Sequence, residues 1–149
     1  MGDTAAAEAL ERQDARAVML RIPARAEYIT LCRLALSGLA QLRKISDETL
    51  ADLKLALTEA VSNSVRHAYG PGGATGHVDV TYELHPDRIG IEVLDDGEGF
   101  DPDDPPEFDG DELSEGGLGI AIIRAIADEF ELESKPGQRG SRLHFVKQL

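Results

Sequence analysis

The sequence contains one cysteine, Cys32, no tryptophan, and only 5% aromatic residues in 149. A single cysteine excludes an internal disulfide and a cysteine-cluster metal site, and it fits a reducing cytoplasm best. No stretch approaches the roughly 18 consecutive apolar residues of a membrane span. The first residues lack a basic region followed by an apolar run, so we expect no secretory signal peptide.

Basic residues are also scarce. The chain has 15 Lys and Arg against 28 Asp and Glu, which gives a net charge of −13. A protein that binds the phosphate backbone needs clustered Lys and Arg. The composition therefore argues against nucleic acid as a direct partner.

The remaining composition is that of one ordinary domain, with 42% hydrophobic residues. We expect a flexible tail over 1–16 and a single folded domain over 17–149. Twelve acidic residues lie between Glu92 and Glu115, and no Lys or Arg interrupts them. An acidic, Gly/Pro-rich run is usually a solvated loop, but glycine motifs on both sides favour a functional loop.

Hydrophobic periodicity predicts the order of the secondary structure. A strand over 17–22 ends at Pro23, and a first helix follows over 26–42. A second helix, capped by Ser46 or Asp47, runs up to residue 69. A hairpin pairs strands 78–84 and 89–93. A helix over 118–130 and two strands, 131–134 and 141–147, close the chain. The pattern predicts a two-layer α/β sandwich, with helices on one face of a mostly antiparallel, mixed sheet.

One helix carries three polar residues spaced four apart: Glu59, Asn63 and His67. This spacing places them on one helical face, away from an apolar stripe. A carboxylate there can act as a general base for a hydroxyl nucleophile. An amide oxygen suits Mg²⁺, which prefers few protein ligands plus substrate phosphates. The alternative is an amphipathic helix whose polar face is simply exposed to solvent. The apolar stripe consists of Leu53, Leu57, Val61 and Val65.

A second motif, Asp95-Asp96-Gly97-Glu98-Gly99, follows the hairpin. Asp95 can accept a hydrogen bond from an exocyclic amine such as that of adenine. Gly97 and Gly99 let a flat ligand approach the backbone without interference from a Cβ atom. An acidic hairpin turn is the alternative interpretation.

A third motif, Glu115-Gly116-Gly117-Leu118-Gly119, is predicted to open an apolar helix. The backbone N–H groups at a helix start bind phosphate oxygens, because they are free donors at the positive end of the helix dipole. A tight turn that needs only backbone freedom would produce the same pattern.

The order and spacing of the three motifs together resemble the GHKL ATPase superfamily, whose fold is the Bergerat ATP-binding fold. Within it, the chain is similar over 18–147 to the bacterial anti-sigma-factor serine kinases. The matching segments are Ile22-Pro23-Ala24, the helix 28–42, and residues 52–60, 63–69 and 113–120.

The resemblance implies a role for each matching residue. Glu59 would be the general base that activates a substrate serine, and Asn63 would chelate Mg²⁺ that bridges the ATP phosphates. Asp95 would recognise the adenine amino group. His67 would have a structural or supporting role. The other implied contacts with ATP are Gly97 and Gly99 at the adenine pocket, Gly116 as a lid hinge, Gly117, Leu118 and Gly119 at the phosphates, and Ser141 near adenine.

The resemblance also implies a biological role. Members of this family bind an alternative sigma factor, keep it from RNA polymerase, and use Mg-ATP to phosphorylate a serine on a STAS-type anti-anti-sigma partner. They are cytoplasmic homodimers that regulate transcription in the stress response, and they dimerise partly through the N-terminal strand and first helix.

Two alternatives come from other functional classes. The first is an anti-sigma regulator that binds nucleotide without kinase activity, against which the presence of Glu59 argues. The second is a detached sensor-kinase catalytic domain that phosphorylates a histidine. The missing phosphoacceptor helix pair and the short segment 100–115 argue against it.

Residues 100–115 would form the lid over ATP, and they depart from a phosphate-binding composition. The segment is intensely acidic and has no Lys or Arg. Like charges near a triphosphate are unfavourable unless they are screened or offset by a cation. We therefore predict weakened nucleotide binding with a strong dependence on Mg²⁺.

Overall fold

The computed structural model describes residues 16–68, 76–98, 112–134 and 139–149. In chain order, its elements are β1 (Arg16–Pro23), a 3₁₀ turn (Ala26–Tyr28), α1 (Ile29–Arg43), α2 (Asp47–Ala68), β2 (His77–Leu84), β3 (Arg88–Glu98), α3 (Glu112–Ile126), β4 (Glu129–Ser134) and β5 (Arg139–Gln148). Strand β1 thus begins at the last residue of the predicted tail, the rest of which lies outside the described residues.

The strands form one sheet with the order β1-β2-β3-β5-β4. Each pairing between the described strands is antiparallel. The predicted α/β sandwich is confirmed, and the strand pairs in these ranges are antiparallel throughout.

The core lies between this sheet and the helices, because alternate strand residues and one stripe of each helix are apolar. Burying this surface drives the packing of the two layers. The largest fully buried side chains include Tyr82, Phe145, Leu36, Leu53, Leu57, Ile91 and Ile123. The opposite sheet face is polar. There Arg142 lies 2.7 Å from Glu92 and 3.1 Å from Glu131.

Local chemistry explains the ends of the first two helices. Lys44 adopts a left-handed conformation with φ 53°, and its backbone N–H bonds to the Ala40 carbonyl to end α1. Ser46 caps α2, since its hydroxyl accepts a hydrogen bond from the Thr49 N–H at 3.2 Å. The cap predicted at Ser46 is therefore confirmed. No helix in the described ranges is long and apolar enough to cross a membrane.

The third helix differs from the sequence prediction at both ends. It begins at Glu112 rather than residue 118, and it ends at Ile126. Phe130, predicted as helical, lies in β4 and pairs with Phe145. The reason is tertiary: the Asp128 N–H bonds to the Val146 carbonyl at 2.8 Å, which starts strand pairing before another helical turn can form.

Candidate functional site

Helix α2 places Glu59 and Asn63 on the side that meets α3. Glu59 is half-buried and Asn63 is only 8% exposed. The Glu59 Oε2 atom lies 2.6 Å from the position that a Cβ on Gly119 would take. The carboxylate therefore rests against the backbone of α3, and the alternative of a simply solvated polar face is wrong for these two residues.

The Asn63 amide has no hydrogen-bond partner among the described residues, although its side chain is buried. Buried polar groups are almost always paired, so this amide is suited to bind a ligand. An amide oxygen is a ligand that Mg²⁺ accepts. The described part of the chain holds no group of three His, Cys, Asp or Glu side chains suited to a metal.

Asp95 lies near the end of β3, paired in register with Ser141 of β5. Its Oδ1 accepts a hydrogen bond from the Gly97 N–H at 3.1 Å. Burial raises the pKa of the Asp95 carboxyl above its usual value, and hydrogen bonding with Gly97, Ser64 and Ser141 opposes that shift.

The start of β5 forms the neighbouring wall of this site. Ser141 is buried, and its hydroxyl lies 2.9 Å from that of Ser134. Gly140 has φ +92°, which favours glycine, and a Cβ there would lie 3.2 Å from the Asp95 carbonyl oxygen. The pairing of β3 with β5 is irregular between Asp95 and Glu98, so the chain bends away just after Asp95.

The glycine motif of α3 is not at the helix start, contrary to the prediction. Gly117 and Gly119 lie in the second turn, because residues 112–115 already form the first. The four free N–H groups of the helix therefore belong to those earlier residues. Gly117 has open space around it, Leu118 is exposed, and Gly119 contacts Glu59.

The structure thus connects several of the predicted residues. Glu59 meets Gly119, Asp95 accepts a hydrogen bond from the Gly97 N–H, and Asp95 pairs in register with Ser141. Gly99, the segment 100–111, the side chain of His67 and the surroundings of Gly116 lie outside the described residues.

Sequence reasoning missed Ser64, which is 8% exposed on α2, the helix that packs on β3. Its position was the available indication, because it lies three residues after Val61 and so falls on the buried stripe of α2. A serine on such a stripe needs a partner inside the protein.

Comparison with known proteins places these motifs in a family. The model of the histidine kinase-like ATPase domain matches residues 22–147. The serine-protein kinase RsbW of Bacillus licheniformis is 36% identical over 137 residues, which are 87% of this chain and 85% of that protein. RsbW of Staphylococcus epidermidis is also 36% identical, over 138 residues and 87% of each chain.

Solved structures share the fold at lower sequence identity. The structure of the RsbU and RsbW domains of Rv1364c from Mycobacterium tuberculosis aligns with a TM-score of 0.66 and 19% identity, over 90% of this chain and 32% of that one. A chain of the SiaB-SiaC complex from Pseudomonas aeruginosa aligns with a TM-score of 0.63 and 16% identity, over 98% of both chains. With the motifs and the family match, these similarities show that the chain belongs to the histidine kinase-like ATPase domain family and, within it, to the RsbW group of serine-protein kinases.

Proposed function

We propose that this protein binds an alternative sigma factor and uses Mg-ATP to phosphorylate a serine on a STAS-type anti-anti-sigma partner. Phosphorylation releases that partner, so the protein alternates between two complexes. The observation that carries the proposal is the pair of Glu59 and Asn63. They are one turn apart on α2, partly or fully buried, with the Asn63 amide unpaired among the described residues.

Glu59 is suited to the role of general base. Its carboxylate is half-buried and lies against Gly119, where it can accept a proton. In the reaction the serine hydroxyl gives its proton to Glu59 while its oxygen bonds to phosphorus. Bound Mg-ATP supplies the γ-phosphoryl group, and ADP leaves.

The other residues bind and orient the nucleotide. Asn63 holds Mg²⁺ through its amide oxygen, and Asp95 accepts a hydrogen bond from the adenine amine. Gly97 supports that carboxylate through its N–H. The remaining contacts are assigned from the family resemblance to His67, Gly99, Gly116, Gly117, Leu118, Gly119 and Ser141.

We infer that the protein acts as a cytoplasmic homodimer in stress-response transcription. The buried free thiol of Cys32 fits a reducing compartment. Large apolar side chains are exposed on β1 and α1, the elements through which the family resemblance places the dimer contact. They are Val18, Met19, Leu31, Leu34 and Leu42.

A transfer assay with γ-labelled ATP tests this function. The full chain is incubated with Mg²⁺ and with STAS-domain proteins from the same genome. We expect label on a partner serine with the wild type, and none with Glu59→Gln, which keeps the shape of the side chain. The matched control is Glu48→Gln, an exposed glutamate in the first turn of the same helix.

Each other result has a distinct meaning. Calorimetric ATP binding without transfer to any partner would assign a nucleotide-binding anti-sigma regulator without kinase activity. Absence of ATP binding would overturn the proposal. Equal loss of transfer in Glu59→Gln and Glu48→Gln would remove the general-base role from Glu59.

A further inference from the structure

The row of residues that crosses the sheet beside Asp95 contains two serines. Asp95 of β3 pairs in register with Ser141 of β5, and Ser141 pairs with Ser134 of β4. The Ser134 and Ser141 hydroxyl oxygens lie 2.9 Å apart, which is hydrogen-bond distance. In the order of the strands, Ser141 therefore stands between Asp95 on one side and Ser134 on the other.

Ser134 lies on the side of β4 that faces the helices. Along this edge strand the three glutamates are exposed, whereas Phe130, Leu132 and Ser134 are half-buried. Phe130 and Leu132 pack against the core. A hydroxyl on that side of the strand needs a partner inside the protein, and Ser141, which is 8% exposed, provides one. Ser134 belongs to none of the three sequence motifs.

We propose that Ser134 is a positioning residue for base recognition: its hydroxyl donates to the Ser141 oxygen and thereby turns the Ser141 hydrogen toward Asp95 and the bound base. The inference rests on the function proposed above, because it concerns the same nucleotide site. It adds a residue of the edge strand that determines nucleotide specificity without touching the nucleotide.

The position of Asp95 decides the direction of this hydrogen bond. A serine hydroxyl has one hydrogen to donate and two lone pairs with which to accept. If Ser141 donated to Ser134, its lone pairs would lie on the side of the Asp95 carboxylate, and two electronegative groups facing each other repel. If Ser134 donates instead, the Ser141 hydrogen lies on the side of Asp95. The second arrangement is electrostatically favoured.

The resulting pair of groups matches the amino edge of adenine. Asp95 offers an acceptor, and Ser141 offers a donor beside it. Adenine presents the complementary pattern, since its amino group donates and the adjacent ring nitrogen N1 accepts, either directly or through one water. In guanine both polarities are reversed, because a carbonyl oxygen lies next to an N1–H group. A site built to bond one pattern rejects the other, since its buried polar groups would stay unpaired.

Calorimetry on the full chain with Mg²⁺ tests the inference, with ATP and with 1-deaza-ATP, which keeps the amino group but lacks the N1 acceptor. The wild type should bind ATP more tightly than 1-deaza-ATP. Ser134→Ala leaves the Ser141 hydroxyl free to rotate, so ATP binding should weaken by about three- to tenfold. Binding of 1-deaza-ATP should stay at the wild-type level, so the preference for ATP narrows.

Two further variants serve as controls. Ser134→Thr keeps the hydroxyl and should retain the preference for ATP over 1-deaza-ATP. Ser37→Ala removes another half-buried hydroxyl, which bonds to the Arg33 carbonyl on α1 at 3.2 Å. Because this hydroxyl lies on a different element from the serine pair, the variant should bind both nucleotides as the wild type does.

A double-mutant cycle separates orientation from packing. Since Ser134 acts through Ser141, Ser134→Ala should have no further effect on ATP affinity in a Ser141→Ala background. Additive losses in the double variant would overturn the inference. Equal wild-type affinity for the two nucleotides would also overturn it, as would wild-type ATP affinity in Ser134→Ala. Equal weakening of both nucleotides in Ser134→Ala would describe a packing role and would overturn it too.

These outcomes are distinguishable from failure of the proposed function. If the wild type binds no ATP, the proposed function and the role of Ser134 fail together. If the wild type binds ATP and transfers phosphate but Ser134→Ala keeps the wild-type nucleotide preference, only the role of Ser134 fails. If the preference narrows as expected while no partner is phosphorylated, the role of Ser134 stands and the kinase activity fails.

Discussion

Substitution of Gly119 tests whether the backbone of α3 sets the position of the proposed general base. A Cβ at this position would lie 2.6 Å from Glu59 Oε2, whereas ordinary van der Waals contact begins near 3.4 Å. In Gly119→Ala the Glu59 carboxylate must therefore move by about 0.8 Å. It is the far end of a flexible side chain, so the helices themselves need not separate.

The expected effect falls on activity rather than stability. A displacement of about 1 Å in a catalytic group can lower the rate by about a hundredfold, so we expect phosphoryl transfer to drop by about ten- to a hundredfold. Gly119 lies within a helix and has no positive φ. Alanine favours the helix over glycine by up to about 1 kcal/mol. This gain raises the unfolding midpoint by about 2–4 °C, unless it is used up by the cost of moving Glu59.

The assay combines labelled transfer to the STAS-domain partner, calorimetric ATP binding and thermal unfolding. Gly38→Ala is the matched control, since Gly38 is exposed on α1 with open space around it. It should show the propensity gain with full activity. A wild-type transfer rate in Gly119→Ala would refute the spacing argument. Loss of ATP binding in proportion to transfer would show that the substitution acts through the proposed phosphate contact of Gly119 and not through the position of Glu59.

Three further substitutions test other parts of the structure. In Tyr82→Phe the buried hydroxyl no longer donates to the Cys32 carbonyl at 2.7 Å, so thermal unfolding should show a loss of about 1 kcal/mol with unchanged transfer. Gly140→Ala forces a side chain into φ +92° and toward the Asp95 carbonyl. It should cost about 1–2 kcal/mol on denaturant unfolding and weaken ATP binding. Asn63→Ala should bind ATP with the same affinity in Mg²⁺ and in excess EDTA. If calorimetry shows that Mg²⁺ still strengthens ATP binding in this variant, Asn63 is not the metal ligand.

The sequence predicts the strands and the first two helices well, because their hydrophobic periods are unambiguous. Alternation over 78–84 is seen directly in β2, where Val78, Val80 and Tyr82 are buried. The limits of α3 are less predictable. Phe130 fits both a helical spacing after Ile126 and the alternation of β4, and pairing with β5 decides between them.

The candidate site is also predictable only in part. Spacing of four along a helix is enough to place Glu59 and Asn63 on one face. The contact of Glu59 with Gly119 depends on how closely α2 and α3 pack, which is a tertiary distance that no local pattern contains. The pairing of Asp95 with Ser141 likewise joins residues far apart in the chain.

The rotation of α2 about its own axis connects these features. Asn63 and Ser64 are consecutive, so their side chains leave the helix about 100° apart, and both are 8% exposed. The apolar stripe that contains Leu57 and Val61 fixes this rotation, because turning the helix would expose those side chains to water. Core packing therefore orients the proposed Mg²⁺ ligand and the Ser64 side chain together. A substitution that loosened the stripe would displace both side chains.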